Sequence, residues 1–143
     1  MFLFTSLIVG TAIAEKTTNE VGNDLEVELI VNTRNLGIPY GVHAKLINKG
    51  EEPIEGPVTV TFKIKKGLFG LRPIDVKNIE ALSEGENLAP GDFHHLDIWT
   101  PDPMFKSGLY TFEYSSDYDD ENPSNNVDST RFLIVLRRMF RIY

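Results

Sequence analysis

The sequence predicts an all-β fold, an antiparallel sandwich of about seven strands, on three observations. Apolar and polar residues alternate along much of the chain, most regularly over residues 58–65, where Val, Val, Phe and Ile are separated by Thr, Thr, Lys and Lys. This alternation is typical of strands that have one face on a core and the other in water. Gly, Pro and Asn residues separate the alternating stretches, and no stretch has a sustained 3.6-residue apolar period. Without helices between them, the strands are expected to pair antiparallel and to stack as two sheets.

Seven stretches are predicted as strands, each bounded by turn residues. The first three alternate cleanly, and the sixth has its apolar positions at Tyr110, Phe112 and Tyr114. The fourth is weaker, and the seventh is apolar on both faces, which predicts a central or doubly covered strand. Seven short strands in roughly a hundred residues is the pattern of an immunoglobulin-like sandwich. In chain order, the predicted strands cover residues 25–31, 42–46, 58–64, 74–79, 93–99, 110–114 and 132–136.

Length and composition exclude several classes of protein. The 143 residues fit one domain. The net charge of −7, from 14 Lys and Arg against 21 Asp and Glu, argues against a nucleic-acid groove, which needs clustered cations. The chain has no cysteine, which excludes a disulfide scaffold, a Cys-ligated zinc site, an iron–sulfur cluster and a thiol nucleophile.

Residues 1–14 (MFLFTSLIVGTAIA) resemble a secretory signal peptide. An apolar run over residues 2–9 leads to a small-x-small cleavage pattern ending at Ala14, and residues 15–23 form a polar linker. The alternatives are a first buried strand or a membrane anchor, but 14 residues fall short of the roughly 20 needed to cross a bilayer. We therefore expect an exported protein, extracellular, at the cell surface or periplasmic, with no transmembrane span in the mature chain.

Three motifs follow one another along the predicted strands. Residues 42–50 (VHAKLINKG) are predicted to form an alternating strand that ends in Asn-x-Gly, and residues 88–92 (LAPGD) a Leu-x-Pro-Gly turn. Residues 108–114 (GLYTFEY) are predicted to form a Gly-x-Tyr strand, followed by an acidic loop and an Asn-Asn ending before the last strand. Together these motifs resemble those of CARDB modules, over about residues 24–136. The resemblance implies an immunoglobulin-like β-sandwich of bacterial and archaeal surface proteins, named for a presumed role in cell adhesion and without catalytic residues to transfer.

The sequence therefore predicts an exported, non-catalytic binding or assembly module, for adhesion or protein–protein interaction at a cell surface or envelope. Its partner is expected to be a protein or a surface polymer, and no Gly-x-Ser-x-Gly nucleophile motif occurs. The alternative is a carbohydrate-binding module or an accessory domain of an extracellular enzyme. Tyr40, Phe69, Trp99 and Phe105 are the aromatic residues that alternation explains least, and they are candidate partner-binding residues, although core packing is the commoner role of such residues.

The acidic loop is a candidate metal site. Asp117, Asp119, Asp120 and Glu121 supply the oxygen ligands that Ca²⁺ prefers, so calcium is the one cofactor weighed. The spacing lacks the Gly and the distant Glu of an EF-hand loop. A solvated acidic loop that discourages edge-to-edge pairing of sheets explains the same residues.

A zinc site among the histidines is disfavoured by ligand count. On a strand, His95 and Asp97 share one face while His94 points to the other, so at most two of these neighbours could bind one zinc ion. Zinc sites in proteins need three or four protein ligands. We expect these residues and His43 to be exposed on a sheet. The basic C-terminal residues 137–143 are expected to form a solvated, partly ordered tail.

Overall fold

A computed structural model describes residues 22–34, 38–67, 72–101, 106–136 and 138–142. Predicted features at residues 1–21, together with Phe69 and Phe105, lie outside these ranges. Within them, no helix is both long and apolar enough to cross a membrane. The described strands are β1 (Leu25–Thr33), β2 (Pro39–Asn48), β3 (Ile54–Glu55), β4 (Val58–Lys66), β5 (Arg72–Leu82), β6 (Asn87–Leu88), β7 (Phe93–His95), β8 (Gly108–Ser116), β9 (Val127–Val135) and β10 (Arg138–Ile142), with a 3-10 turn at Pro123–Asn125.

The strands form two stacked antiparallel sheets and a small ribbon. One sheet has the order β1-β2-β7, the other has the order β10-β9-β8-β4-β5, and β3 pairs with β6. All described pairings are antiparallel. The prediction of an all-β antiparallel sandwich is confirmed.

Alternation along the strands builds the core between the sheets. Tyr110, Phe112 and Tyr114, three alternate residues of β8, are at most 1% exposed. The Phe112 ring lies 5.5 Å from that of Phe132 and 6.1 Å from that of Phe62, between centroids. The hydroxyl of Tyr110 donates to the backbone carbonyl of Lys106 at 2.6 Å, so its polar end is satisfied at the rim.

The loops at one end of the strands carry seven of the chain's 21 carboxylates. Residues 22–24, 49–53 and 117–126 meet there through backbone bonds from Lys49 to Asp24, at 2.7 Å, and from Glu121 to Asn23, at 3.3 Å. We call this end the acidic pole. β9 begins beside it and runs to the opposite end, where the chain turns into β10. The carboxylates of the acidic pole are Asp24, Glu51, Glu52, Asp117, Asp119, Asp120 and Glu121.

The C-terminal region agrees with the prediction for the seventh strand and differs in the segment after it. The seventh strand is central, between β8 and β10, which is one of the two predicted alternatives, and Leu133 and Val135 are exposed on the outer face of the sheet. The basic segment is not a solvated tail, because residues 138–142 pair with β9 as β10. Met139 stands opposite Ile134 and is fully buried in the core, which fixes this edge strand in place. The five-stranded sheet thus extends beyond the expected boundary at Leu136.

Strands 4 and 5 also differ from the sequence pattern. β5 is eleven residues long and lies at the edge of its sheet, and its register places Val76 opposite Lys63 on the outer face, so Ile74 and Val76, expected to be inner positions, are 51% and 52% exposed. The strand predicted over 93–99 is only three residues long. Its continuation returns to β2 through backbone hydrogen bonds that Trp99 and Val42 exchange.

Candidate functional site

The acidic loop is held to the first strand by the Asp120 carboxylate. Its Oδ2 accepts the backbone N–H of Leu25 at 2.8 Å, and its Oδ1 accepts the N–H of Asn122 and the Nδ2 of Asn126, both at 3.1 Å. Asn126 is almost completely buried and also donates to the Tyr118 carbonyl. Asp120 therefore acts as a structural clamp between loop and sheet, because both of its oxygens already accept protein donors.

The remaining carboxylates of this pole line an open pocket of about 800 Å³. Glu51, Glu52, Asp119 and Glu121 border it together with the clamp residue, whereas Asp117 is not part of its lining. The Glu121 carboxylate also accepts the N–H of Gly22 at 3.3 Å. Among the described residues, no three acidic or histidine side chains converge closely enough to form a metal-ligand group. The Oδ1 of Asn23, which also borders the pocket, is buried without a hydrogen-bond partner.

The histidines lie on the sheet, in two directions. His43 and His95 are neighbours on the outer face of the three-stranded sheet, with ring centroids 5.2 Å apart. Asn32 Nδ2 lies 2.8 Å from His43 Nδ1, so the neutral ring accepts there. Burial, and secondarily the charge of His95, lower the pKa of His43. His94 faces the other way, opposite Leu46.

The aromatic candidates do not form a common surface in the described structure. The Trp99 indole is partly buried on the core, 4.7 Å from the Phe112 ring and 6.1 Å from the Phe62 ring. The Tyr40 ring lies under the guanidinium of Arg34 at 5.3 Å, at the other end of the strands from the acidic pole. Trp99 thus has the contacts of a core residue, whereas sugar stacking requires an open ring face.

Sequence reasoning missed an exposed apolar cluster on the outer face of the five-stranded sheet. We call it the β9–β10 patch. Its apolar residues are between 39% and 84% exposed, and in the register Leu133 stands directly opposite Phe140. Residues 132–135 are alternately buried and exposed, as expected for a strand. The sequence did not indicate that the outer face of this strand would be left exposed. The apolar residues of the patch are Leu133, Val135, Leu136, Phe140 and Ile142.

Two arginines flank the centre of this patch. Arg138 stands opposite Val135 and Arg131 opposite Ile142, so one arginine lies on each side of the Leu133–Phe140 pair. Both arginines are exposed, and neither forms a salt bridge with another residue in the described ranges. The patch therefore combines an apolar centre with unneutralised positive charge.

This geometry defines the class of protein, an immunoglobulin-like sandwich with an exposed sheet face and an acidic pole. A solved structure with the same architecture is a CARDB domain from Pyrococcus furiosus, crystallised in complex with di-metal ions. The two chains are 21% identical with a TM-score of 0.54, and the match covers 81% of this chain and 96% of the other. Neither a protein-family model nor a curated protein sequence matches the chain. The chain has the CARDB-type fold, as the motifs predicted.

Proposed function

We propose that this protein is an exported, non-catalytic binding or assembly module of a cell surface or envelope, and that it binds its partner through the β9–β10 patch. The observation that carries this proposal is the exposure of five large apolar side chains, four on one sheet face and Leu136 in the adjoining turn. Contiguous apolar patches of more than a few hundred Å² are uncommon on monomers and mark interaction sites.

The architecture suits this role. The patch lies on two hydrogen-bonded strands whose inner residues, Phe132, Ile134 and Met139, are fully buried. Ordered strands lose little conformational entropy on binding, which favours affinity. The apolar leader at residues 1–14 and the CARDB-type fold support export and surface display.

The proposal is tested with patch variants in the source cells. The double variant Leu133→Ser/Phe140→Ser makes the centre of the patch polar, and Ile74→Ser/Val76→Ser makes the same change at comparably exposed positions on the far edge of the same sheet. Protease accessibility on intact cells measures export. Affinity capture from the envelope is expected to lose its partner with the patch variant alone. Protein confined to the cytoplasm, or capture unchanged by the patch variant, would contradict the proposal.

A second candidate function is cation binding at the acidic pole. It is favoured by the carboxylate-lined pocket with its unpartnered Asn23 oxygen, and by the di-metal ions bound to the Pyrococcus furiosus CARDB domain. Because Asp120 is engaged by three donors, we propose that Glu51, Glu52, Asp119 and Glu121 rearrange to supply ligands for Ca²⁺.

Calorimetric titration with Ca²⁺ tests this second candidate. Binding heat is expected from the wild type, with a loss of at least tenfold in affinity for Asp119→Asn/Glu121→Gln. The Gln side chain can still accept the N–H of Gly22. Asp117→Asn is the control, since Asp117 lies outside the pocket lining. No binding heat in the wild type would refute the calcium proposal.

A further inference from the structure

The β9–β10 patch has a defined spacing of charge and apolar surface. Residues 131 and 135 are four positions apart along β9, which is about 13 Å in an extended strand. Arg131 marks one end of this span, and Arg138, opposite Val135, marks the other. The Leu133–Phe140 pair lies midway between them. Along the direction of the strands, the outer face therefore carries a positive charge, then an apolar centre, then a second positive charge.

The wider sheet face is also cationic, although the whole chain has a net charge of −7. Beyond β8, Lys63 and Lys65 project from β4, and the single carboxylate of Glu113 pairs with both. Arg131 and Arg138 pair with no described carboxylate, so these four cations outnumber the carboxylates of Glu113 and of Glu80, which stands opposite Thr59 on this face. Complementary potentials stabilise and orient a partner, so the face favours an anionic one.

A second copy of this chain does not satisfy the patch by presenting its own patch. Stacking two patches face to face would bring four arginines together with no carboxylate between them, which is unfavourable in a desolvated interface. A membrane fits poorly because four of the five apolar side chains lie on a flat sheet face, and only Leu136 is in the turn. Four of the five apolar side chains of the patch are aliphatic, with Phe140 the one aromatic ring among them, which favours a polypeptide over a polysaccharide.

We infer that the patch binds an acidic polypeptide segment in extended conformation, with carboxylates at positions i and i+4 and an apolar residue at i+2. This inference rests on the proposed function and specifies its partner. The i and i+4 carboxylates of a strand are about 13 Å apart on one face, and they match the separation of the two arginines along the sheet. The i+2 side chain packs on Leu133 and Phe140.

The test uses a designed hairpin peptide of about twelve residues, closed by an Asn-Gly turn to hold it extended. One strand carries Glu, Leu and Glu at i, i+2 and i+4, and a matched peptide has Gln in place of both Glu residues. Binding to the purified protein is followed by amide chemical shifts in NMR. Shifts are expected at residues 131–135 and 138–142 with the Glu peptide, weakening as salt is raised.

Variants assign the binding. Arg131→Gln/Arg138→Gln is expected to raise Kd at least tenfold, as is Leu133→Ser/Phe140→Ser, while Ile74→Ser/Val76→Ser changes it less than twofold. Equal binding of the Gln peptide, no binding of the Glu peptide at millimolar concentration, preferential binding of phosphatidylglycerol vesicles, or self-association that the patch variant abolishes would each overturn the inference. Such a result would overturn the acidic-peptide inference but not the proposed function, because capture of a partner from the envelope does not depend on the designed peptide.

Discussion

The clamp at Asp120 gives the sharpest test of how the acidic pole is built. Replacing Asp120 with Ala removes the acceptor for the backbone N–H of Leu25, a residue with no exposed surface. The N–H of Asn122 is exposed and can bind water, and Asn126 Nδ2 keeps its bond to the Tyr118 carbonyl. The main cost is therefore one buried donor without a partner plus the loss of charge-assisted bonds, in total about 2–3 kcal/mol of unfolding free energy.

At about 4 °C per kcal/mol for a domain of this size, Asp120→Ala should lower Tm by roughly 8–12 °C. Asp119→Ala is the matched control, because the Asp119 carboxylate is exposed and makes no hydrogen bond with another described residue. This variant should stay within about 0.5 kcal/mol of wild type. Differential scanning calorimetry with a chelator present separates the clamp from any cation effect. Equal shifts for the two variants, or no shift for Asp120→Ala, would refute the clamp.

Three further predictions concern the stability of the sandwich. Asn48 is fully buried, and its Nδ2 donates to the carbonyls of Glu52 and Leu88 at 2.8 Å. Asn48→Ala should therefore lower the free energy of unfolding, measured in urea, by about 2–4 kcal/mol, and a loss below about 1 kcal/mol would contradict this. A Cβ on Gly50 would lie 2.2 Å from the Gly22 carbonyl oxygen, so Gly50→Ala should cost about 1–3 kcal/mol in the same assay, and wild-type stability would disprove the close approach. Because the pKa of His43 is lower in the folded protein than in the unfolded chain, the unfolded chain binds the proton at higher pH, so the free energy of unfolding should decline as pH falls below 6.5. This decline should be shallower in His43→Gln, and an equal slope in the variant and the wild type would contradict the prediction.

The sequence predicted most of the fold because alternation directly reports which side of a strand is buried. Strands β1, β2, β4 and β8 lie where the period of two placed them. β10 was missed for a physical reason. Its five residues include two arginines, and the turn before it carries Leu136 at a positive φ of 48° rather than a glycine that would have marked it.

The sites were less predictable, because they depend on contacts between distant parts of the chain. The Asp120 clamp joins residues 95 positions apart, so the loop's acidic composition alone could not separate a ligand set from a hydrogen-bonding role. The β9–β10 patch exists because no second layer of the described elements covers the outer face, which is a property of the assembled sheets. The sequence showed that residues 132–136 are apolar on both faces of the strand, but this pattern was interpreted as burial of the strand and not as an exposed apolar surface.

Site-specific photo-crosslinking on intact source cells tests the central claim most directly. A crosslinking side chain is placed at Leu133, in the centre of the β9–β10 patch, or at Val76, on the far edge of the same sheet. The account predicts one dominant adduct from position 133, to a partner whose crosslinked segment is acidic, and none from position 76. Adducts of equal yield from both positions, or none from position 133, would contradict it.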